Sequence, residues 1–134
     1  MLVKDIMVGD VACISPFATI RDAMRQMKLR GVKALVVEKR HEHDAYGVIT
    51  YSNILKTIVA EEGDIDLINV YDICAKPAIA LSRELEIKHA ARLMVKLGIR
   101  RLLVTASNEL VGIITMDDIV GAMLDTADGD DFMS

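Results

Sequence analysis

The chain has 134 residues, of which 52% are hydrophobic and only 4% aromatic, and it carries a net charge of −4. Its length predicts one compact domain, and its acidic balance with few aromatic residues excludes sequence-independent nucleic-acid binding. Apolar runs such as 34–37 and 110–114 are far shorter than the roughly 20 residues that a membrane span needs. The amino terminus lacks the apolar stretch of a signal peptide, so we expect a cytoplasmic protein without membrane contact.

The first half predicts five elements in the order β-α-β-β-α. Residues 12–14 form a short predicted strand that Ser15 and Pro16 end. Thr19 fits the N-cap of a helix over 19–30, and Gly31 fits its C-cap. Apolar and β-branched residues predict strands over 34–37 and 46–50, separated by the charged loop 39–44. A second helix is predicted over 52–59.

The second half repeats this order. We predict a strand over 79–81, a helix over 86–97 that ends at Gly98, strands over 102–105 and 110–115, and a helix over 117–124. The acidic stretch 61–69 links the halves, and the acidic tail 125–134 is predicted to be mobile. Each half alone is close to the size at which core burial becomes marginal, so we expect the halves to share a core.

An internal duplication explains the repeated order. The motif at 3–7, Val-Lys-Asp-Ile-Met, returns at 70–74 as Val-Tyr-Asp-Ile-Cys, an offset of 67 residues. After the loop the offset becomes 65, because Gly-Val-Ile-Thr at 47–50 returns at 112–115 as Gly-Ile-Ile-Thr. The chain is therefore predicted to contain two copies of one unit, over residues 1–62 and 63–124.

The end of the last strand in each copy carries the best candidate for chemistry. A strand ends at Thr115 and a helix follows at once, so a hydroxyl, free helix N–H groups and Asp118 converge. This arrangement favours a phosphate, and an ionised carboxylate can accept both hydroxyls of a ribose. A plain N-cap without any ligand fits the same residues. The motif recurs at Thr50 and Asn53, and both interpretations apply to each copy.

These motifs resemble those of a tandem pair of cystathionine-β-synthase (CBS) domains, also called a Bateman module. The resemblance covers 3–124 and rests on the segments 3–7, 14–24 and 47–53 with their partners 70–74, 98–104 and 112–118. It implies an α/β (α+β) fold in which two β-α-β-β-α repeats pack sheet to sheet with pseudo-two-fold symmetry.

The family resemblance also implies a function. It implies a stand-alone regulatory module, not an enzyme, that senses AMP, ADP, ATP or S-adenosylmethionine, needs no cofactor and modulates an effector protein. The alternative is a ligand-free dimeric scaffold or interaction protein. Methionines at helical spacing, among them Met24, Met27, Met94 and Met123, exceed what one small core can bury, so we expect a homodimer with two-fold symmetry.

Two ligand sites follow from the resemblance, each formed by residues of both repeats. Site A comprises Val48, Thr50, Asn53, Lys76, Pro77, Ala78, Ile79, Ile99 and Arg101. Site B comprises Val11, Ala12, Val32, Lys33, Ala34, Ile113, Thr115 and Asp118. Site A has Arg101 as the expected phosphate-binding cation but Asn53 in place of a ribose-binding aspartate. Site B has Asp118 but Ala34 in place of the cation.

Other reactive residue types predict no site. His41 and His43 lie in the charged loop, and His89 lies in a different predicted element, so we expect no metal centre. Cys13 and Cys74 are too far apart in sequence for a metal cluster and are interpreted as small buried hydrophobic residues.

Overall fold

The computed structural model of the chain describes residues 1–126, so most of the predicted tail lies outside the described residues. The chain is a mixed α/β protein with two three-stranded sheets, as predicted. It divides into two compact units. We call Ala12–Ala78 the central unit, and Met1–Val11 together with the chain from Ile79 onward the terminal unit.

The elements follow the predicted order, with two additional short helices. In chain order they are α1 (Val3–Ile6), β1 (Cys13–Ile14), α2 (Ile20–Arg30), β2 (Ala34–Val37), β3 (Gly47–Thr50), α3 (Tyr51–Leu55), α4 (Val70–Ile73), β4 (Ala80–Ser82), α5 (Ile87–Leu97), β5 (Arg101–Ala106), β6 (Glu109–Thr115) and α6 (Met116–Asp125). The helix predicted over 52–59 is α-helical only to Leu55 and continues as a π-helical turn at Lys56–Ala60.

The central unit is built on the sheet β1-β2-β3, in which β1 and β2 are parallel and β2 and β3 antiparallel. Leu35, Val37 and Ile49 point to one face and form a core with apolar residues of α2, chiefly Ile20 and Met27. Side chains alternate between the two faces of a strand, so Ala34 and its partner Thr50 share the opposite face. The core therefore fixes which side chains the other face presents.

The terminal unit repeats this plan with the sheet β4-β5-β6. Its core contains Leu102, Val104 and Ile114 together with Met94 of α5 and Ile119 of α6. A β-bulge interrupts the pairing of β5 with β6 between Val104 and Thr105. The two strands therefore pair in one register from Arg101 to Val104 and in a register shifted by one residue from Thr105 onward.

Local signals set the ends of the long helices, as predicted. The Thr19 hydroxyl accepts the Asp22 N–H at 3.2 Å, and the Asp22 carboxylate accepts the Thr19 N–H at 3.1 Å. Gly31 and Gly98 end α2 and α5 with φ angles of +65° and +66°, in the left-handed region that favours glycine. The predicted helices 19–30 and 86–97 are confirmed to within one residue.

Helices α1 and α4 were not predicted, because four residues are too few to show a helical period. They come from the duplicated motif at 3–7 and 70–74, and each packs in a definite unit. The Val3 N–H donates to the Leu85 carbonyl at 2.7 Å in the terminal unit. The Val70 N–H donates to the Ala18 carbonyl at 2.8 Å in the central unit. Segment 3–7 is thus followed in the chain by the central unit but packs in the terminal unit. Segment 70–74 is followed by the strands of the terminal unit but packs in the central unit.

Gly31 provides a test of this helix termination. Replacing it by alanine should destabilise the protein by about 1–2 kcal/mol, the cost of a left-handed backbone with a Cβ. No atom lies within 4 Å of the added Cβ, so steric clashes do not contribute. Chemical denaturation at one fixed protein concentration measures the change.

The matched control is Gly121→Ala. Gly121 lies inside α6, and an added Cβ there also meets nothing within 4 Å. Alanine should therefore stabilise the chain by about 0.5–1 kcal/mol through helix propensity. The same sign for both variants would contradict the conformational explanation.

Candidate functional site

The terminal unit presents a strand-to-helix turn at Thr115. Thr115 ends β6 in an extended conformation and is the N-cap of the ten-residue helix α6. Its hydroxyl accepts the Asp118 N–H at 3.1 Å, and Asp118 Oδ2 accepts the Thr115 N–H at 2.8 Å. The two hydrogen bonds fix a hydroxyl and a carboxylate side by side at the beginning of the helix.

Asp118 keeps hydrogen-bonding capacity beyond this cap. Its side chain is half-buried, and within residues 1–126 its Oδ1 atom accepts no hydrogen bond. Because a carboxylate oxygen has two lone pairs, Oδ1 can accept hydroxyl donors of a ligand. The carboxylate also lies in the first turn of α6, where the helix dipole stabilises its negative charge.

Arg101 brings a positive charge to the same turn. In the antiparallel pair β5–β6 it lies directly opposite Thr115, so both side chains project from the same face of the sheet. Arg101 is half-buried and forms no ion pair with any described residue. Two of the groups that sequence analysis placed in different sites, Arg101 and Asp118, therefore belong to one unit.

The equivalent turn of the central unit has the same extended N-cap conformation, but its side chains carry no charge. Asn53 Oδ1 accepts the Thr50 N–H at 2.9 Å and the Thr50 hydroxyl at 3.0 Å, and the Thr50 hydroxyl accepts the Asn53 N–H at 3.3 Å. Ala34 lies opposite Thr50 in the strand register, where the terminal unit has Arg101. The two turns are thus equal in shape and unequal in electrostatics.

The segment 75–78 runs along β3 in the central unit. Val48 and Ala75 exchange two backbone hydrogen bonds of 2.9 Å, and the Ala78 N–H donates to the Tyr46 carbonyl at 2.8 Å. These contacts bring Val48, Pro77 and Ala78 of predicted site A to one edge. Sequence analysis did not foresee this edge, since a segment so short shows no strand period.

Lys76, the further cation predicted for site A, is bound within its own unit. Its ammonium group lies 2.6 Å from Asp44 Oδ1 and 2.7 Å from Oδ2. Asp44, with a side chain only 9% exposed, also accepts the Arg40 backbone N–H at 2.9 Å. The Lys76 hydrogen bond first, and the Arg40 backbone second, hold the pKa of Asp44 well below its ordinary value.

The predicted site residues divide between the units. The central unit contains Ala12, Val32, Lys33, Ala34, Val48, Thr50, Asn53, Lys76, Pro77 and Ala78. The terminal unit contains Val11, Ile79, Ile99, Arg101, Ile113, Thr115 and Asp118. Both predicted sites draw on both units, and their composition stays a prediction.

Metal binding and thiol chemistry have little support among residues 1–126. No group of three or more histidine, cysteine, aspartate or glutamate residues in this range could hold a metal ion. Cys13 and Cys74 are half-buried free thiols whose pKa values burial raises, which makes the reactive thiolate scarcer. No helix in the described range is long and apolar enough to cross a membrane.

The chain belongs to the CBS domain family, whose model matches residues 3–60 and 70–125. CBS domain-containing protein YhcV of Bacillus subtilis (strain 168) is 30% identical over 117 residues, which cover 87% of this chain and 81% of that protein. An uncharacterized protein of Methanopyrus kandleri is 30% identical over 119 residues, with 88% of this chain but only 60% of its own length covered.

A solved structure confirms the fold. The hexameric CBS-CP12 protein from bloom-forming cyanobacteria has a TM-score of 0.82 and 34% identity, covering 94% of this chain and 74% of its own. The predicted tandem CBS pair is therefore confirmed. CBS domain pairs are generally regulatory, ligand-binding modules.

The Asp44–Lys76 ion pair predicts a pH dependence. A lowered carboxyl pKa contributes stability that is complete above the ordinary value of about 3.9 and is lost as pH falls through the folded value. The difference in unfolding free energy between the wild type and Asp44→Asn should be constant from about pH 7 to 5 and shrink below about pH 4. Urea denaturation at a series of pH values measures it.

Glu42→Gln is the control, because Glu42 lies in the same loop, is exposed and has no ion pair within the described residues. If Asp44→Asn and Glu42→Gln follow the same pH profile, the ion pair does not contribute to stability as described.

Proposed function

We propose that this chain is a non-catalytic regulatory module of the cytoplasm that binds an adenosyl ligand and thereby modulates an effector protein. The ligand is AMP, ADP, ATP or S-adenosylmethionine, bound by the residues predicted for sites A and B. The observation that carries the proposal is the strand-to-helix turn, which recurs in both units with the same capping hydrogen bonds.

The terminal unit contributes to each predicted site a group that suits such a ligand. A guanidinium group binds phosphate oxygens, frequently through two parallel hydrogen bonds, and Arg101 has no competing ion pair among the described residues. The free Oδ1 of Asp118 suits the hydroxyls of a ribose. Ile113 lies two residues before Thr115 on the same strand face, where it offers apolar contact to a flat base.

The difference between the turns supports two sites of unequal strength. Arg101 favours a phosphate in site A, whereas Asn53 hydrogen-bonds a ribose there without the gain of a full charge. Asp118 gives site B a charged ribose acceptor, and Ala34 leaves it without the cation. Site B is therefore proposed to take a nucleoside or a weakly charged adenosyl compound, and to bind it more weakly than site A binds its ligand.

A ligand-free scaffold is the second candidate, and one observation favours it. Thr50 and Asn53 satisfy each other's N–H groups without a ligand, and Lys76 already forms an ion pair with Asp44. Such a protein would act by self-association and by presenting its acidic tail, residues 125–134. We propose a homodimer in either case, because the helices expose large apolar side chains such as Leu55, Val59 and Leu124, and because the related CBS-CP12 protein is hexameric.

Thermal denaturation with a panel of AMP, ADP, ATP and S-adenosylmethionine separates the two candidates. A specific ligand at 100 times its Kd should stabilise the folded chain by about 2.7 kcal/mol. The scaffold predicts no shift with any of the four compounds. Guanosine monophosphate serves as the control for effects of charge alone.

Arg101→Ala tests the phosphate contact. The loss of a hydrogen bond to a charged group should weaken AMP binding by about 1.5–3 kcal/mol, roughly 10- to 150-fold in Kd. Adenosine binding should change little, because adenosine has no phosphate. Calorimetric titration of both ligands measures the difference.

The control for this variant is Arg100→Ala, which removes an exposed arginine one position away in sequence. Equal losses for AMP and adenosine in Arg101→Ala would show that the residue acts on something other than phosphate.

Asp118→Ala tests the ribose contact. It should remove nucleoside binding at site B and cost about 0.3–1 kcal/mol of stability, because the carboxylate no longer accepts the Thr115 N–H in the first turn of α6. Asp118→Asn is the matched variant, since Asn53 shows that an amide maintains the same cap. It should preserve stability and weaken nucleoside binding. Calorimetry that gives one stoichiometric site per chain in both the wild type and Asp118→Ala would mean that site B is empty and only site A binds.

A further inference from the structure

The loop between β2 and β3 of the central unit carries a carboxylate that the loop itself holds in place. The Asp44 side chain is only 9% exposed, whereas that of Lys76 is 26% exposed. Asp44 Oδ2 accepts the Arg40 backbone N–H at 2.9 Å and the Arg40 Nε–H at 3.3 Å. Because these hydrogen bonds come from the same loop, the position of the carboxylate does not depend on Lys76.

The Lys76 ammonium group contacts both oxygens of this carboxylate. Its Nζ atom lies 2.6 Å from Oδ1 and 2.7 Å from Oδ2. If Lys76 left, Arg40 would be the remaining charged partner of Asp44 among the described residues. Removing one partner of a nearly buried ion pair costs free energy, because the other charge is left incompletely compensated. A ligand phosphate therefore competes poorly with Asp44 for this lysine.

The other cations of the loop have contacts of their own. The Arg40 guanidinium group, besides its bond to the same carboxylate, lies 5.7 Å from the ring centre of Tyr71. The Lys39 ammonium group lies 5.0 Å from the ring centre of Tyr46. The remaining titratable residues of the loop are exposed: His41, Glu42 and His43. None of these residues belongs to the set predicted for site A.

In the described part of the terminal unit, neither Lys76 nor the long loop has a counterpart. Gly9 lies at the position equivalent to Lys76 by the offset of 67 residues. Ser107 and Asn108 alone connect β5 to β6. The lysine and the carboxylate that neutralises it therefore occur together in one unit, which supports treating them as a single arrangement.

We propose that Asp44 is a specificity-determining residue of site A, which withholds Lys76 from ligand phosphates and so favours AMP or S-adenosylmethionine over ADP and ATP. The inference rests on the function proposed above and narrows the class of its ligand. It concerns only the part of site A that the central unit contributes.

The composition of that part explains the discrimination. Lys76 is the only cation among the six predicted residues of site A in the central unit: Val48, Thr50, Asn53, Lys76, Pro77 and Ala78. Each further phosphate of ADP or ATP adds negative charge, which needs a charged partner when the phosphate loses water. Because Asp44 already neutralises Lys76, the central unit adds little attraction for these further phosphates.

Asp44→Asn is the variant that tests the inference, because the amide keeps the size of the side chain and removes its charge. Calorimetric titration should show ATP binding about tenfold more tightly than to the wild type, since Lys76 becomes available for a hydrogen bond to a charged group. AMP should gain less, and the Kd of adenosine should stay within about twofold, because adenosine has no phosphate.

Two further variants identify the origin of the gain. Glu42→Gln removes the same charge from an exposed position of the same loop and should leave the Kd of ATP within about twofold of the wild-type value. Asp44→Asn combined with Lys76→Met should lose the gain in ATP affinity, because the lysine provides it. Circular dichroism checks that each variant is folded.

The outcomes separate this inference from the proposed function. Unchanged or weaker ATP binding in folded Asp44→Asn, with AMP still bound by the wild type, would overturn the inference and leave the proposed function standing. No binding of any adenosyl compound to the wild type or to Asp44→Asn would overturn both.

The wild type provides a test that does not depend on the stability of Asp44→Asn. Nuclear magnetic resonance of the ¹⁵N-labelled lysine ammonium groups, with the Lys76 signal assigned from Lys76→Arg, reports on the ion pair directly. Addition of ATP should leave this signal where AMP leaves it, because Lys76 stays bound to Asp44. A shift with ATP that AMP does not produce would overturn the inference.

Discussion

The hydrogen bond between a strand-ending threonine and the third residue of the next helix is the constraint on which the rest of the structure depends. In the terminal unit it joins the Thr115 hydroxyl to the Asp118 N–H, and in the central unit it joins Thr50 to Asn53. The helix must then begin at the edge of the sheet, with a hydroxyl and a polar side chain fixed beside its first N–H groups. The same bond that stabilises the fold thereby fixes the polar groups that the proposed ligand would meet.

Duplication preserved this geometry while substitution changed its charge. The terminal turn combines Arg101, Thr115 and Asp118, whereas its counterpart combines Ala34, Thr50 and Asn53. Two units that share a backbone plan therefore present different polar groups at equivalent turns.

The sequence predicted the long helices and the strands well, because their signals are local. Thr19 and Gly31 mark the ends of α2 directly, and the duplication repeated each assignment. The sequence did not predict which unit each leading segment joins, since that depends on long-range packing. Counting back from the hairpin turn would place Arg100 opposite Thr115, but the bulge at Val104 and Thr105 makes Arg101 its partner. The sequence also did not predict the ion pair between Asp44 and Lys76, because no periodic pattern relates two residues so far apart in the chain.

Nuclear magnetic resonance of the ¹⁵N-labelled chain, titrated with AMP, tests the central claim most directly, because it reports on each backbone N–H separately. The account predicts that the largest shifts fall on Arg101 and on the turns at Thr50–Asn53 and Thr115–Asp118, while the exposed faces of α2 and α5 change little. Saturable shifts confined to other residues, or none at millimolar AMP, would contradict the claim that these capped turns form an adenosyl-ligand site.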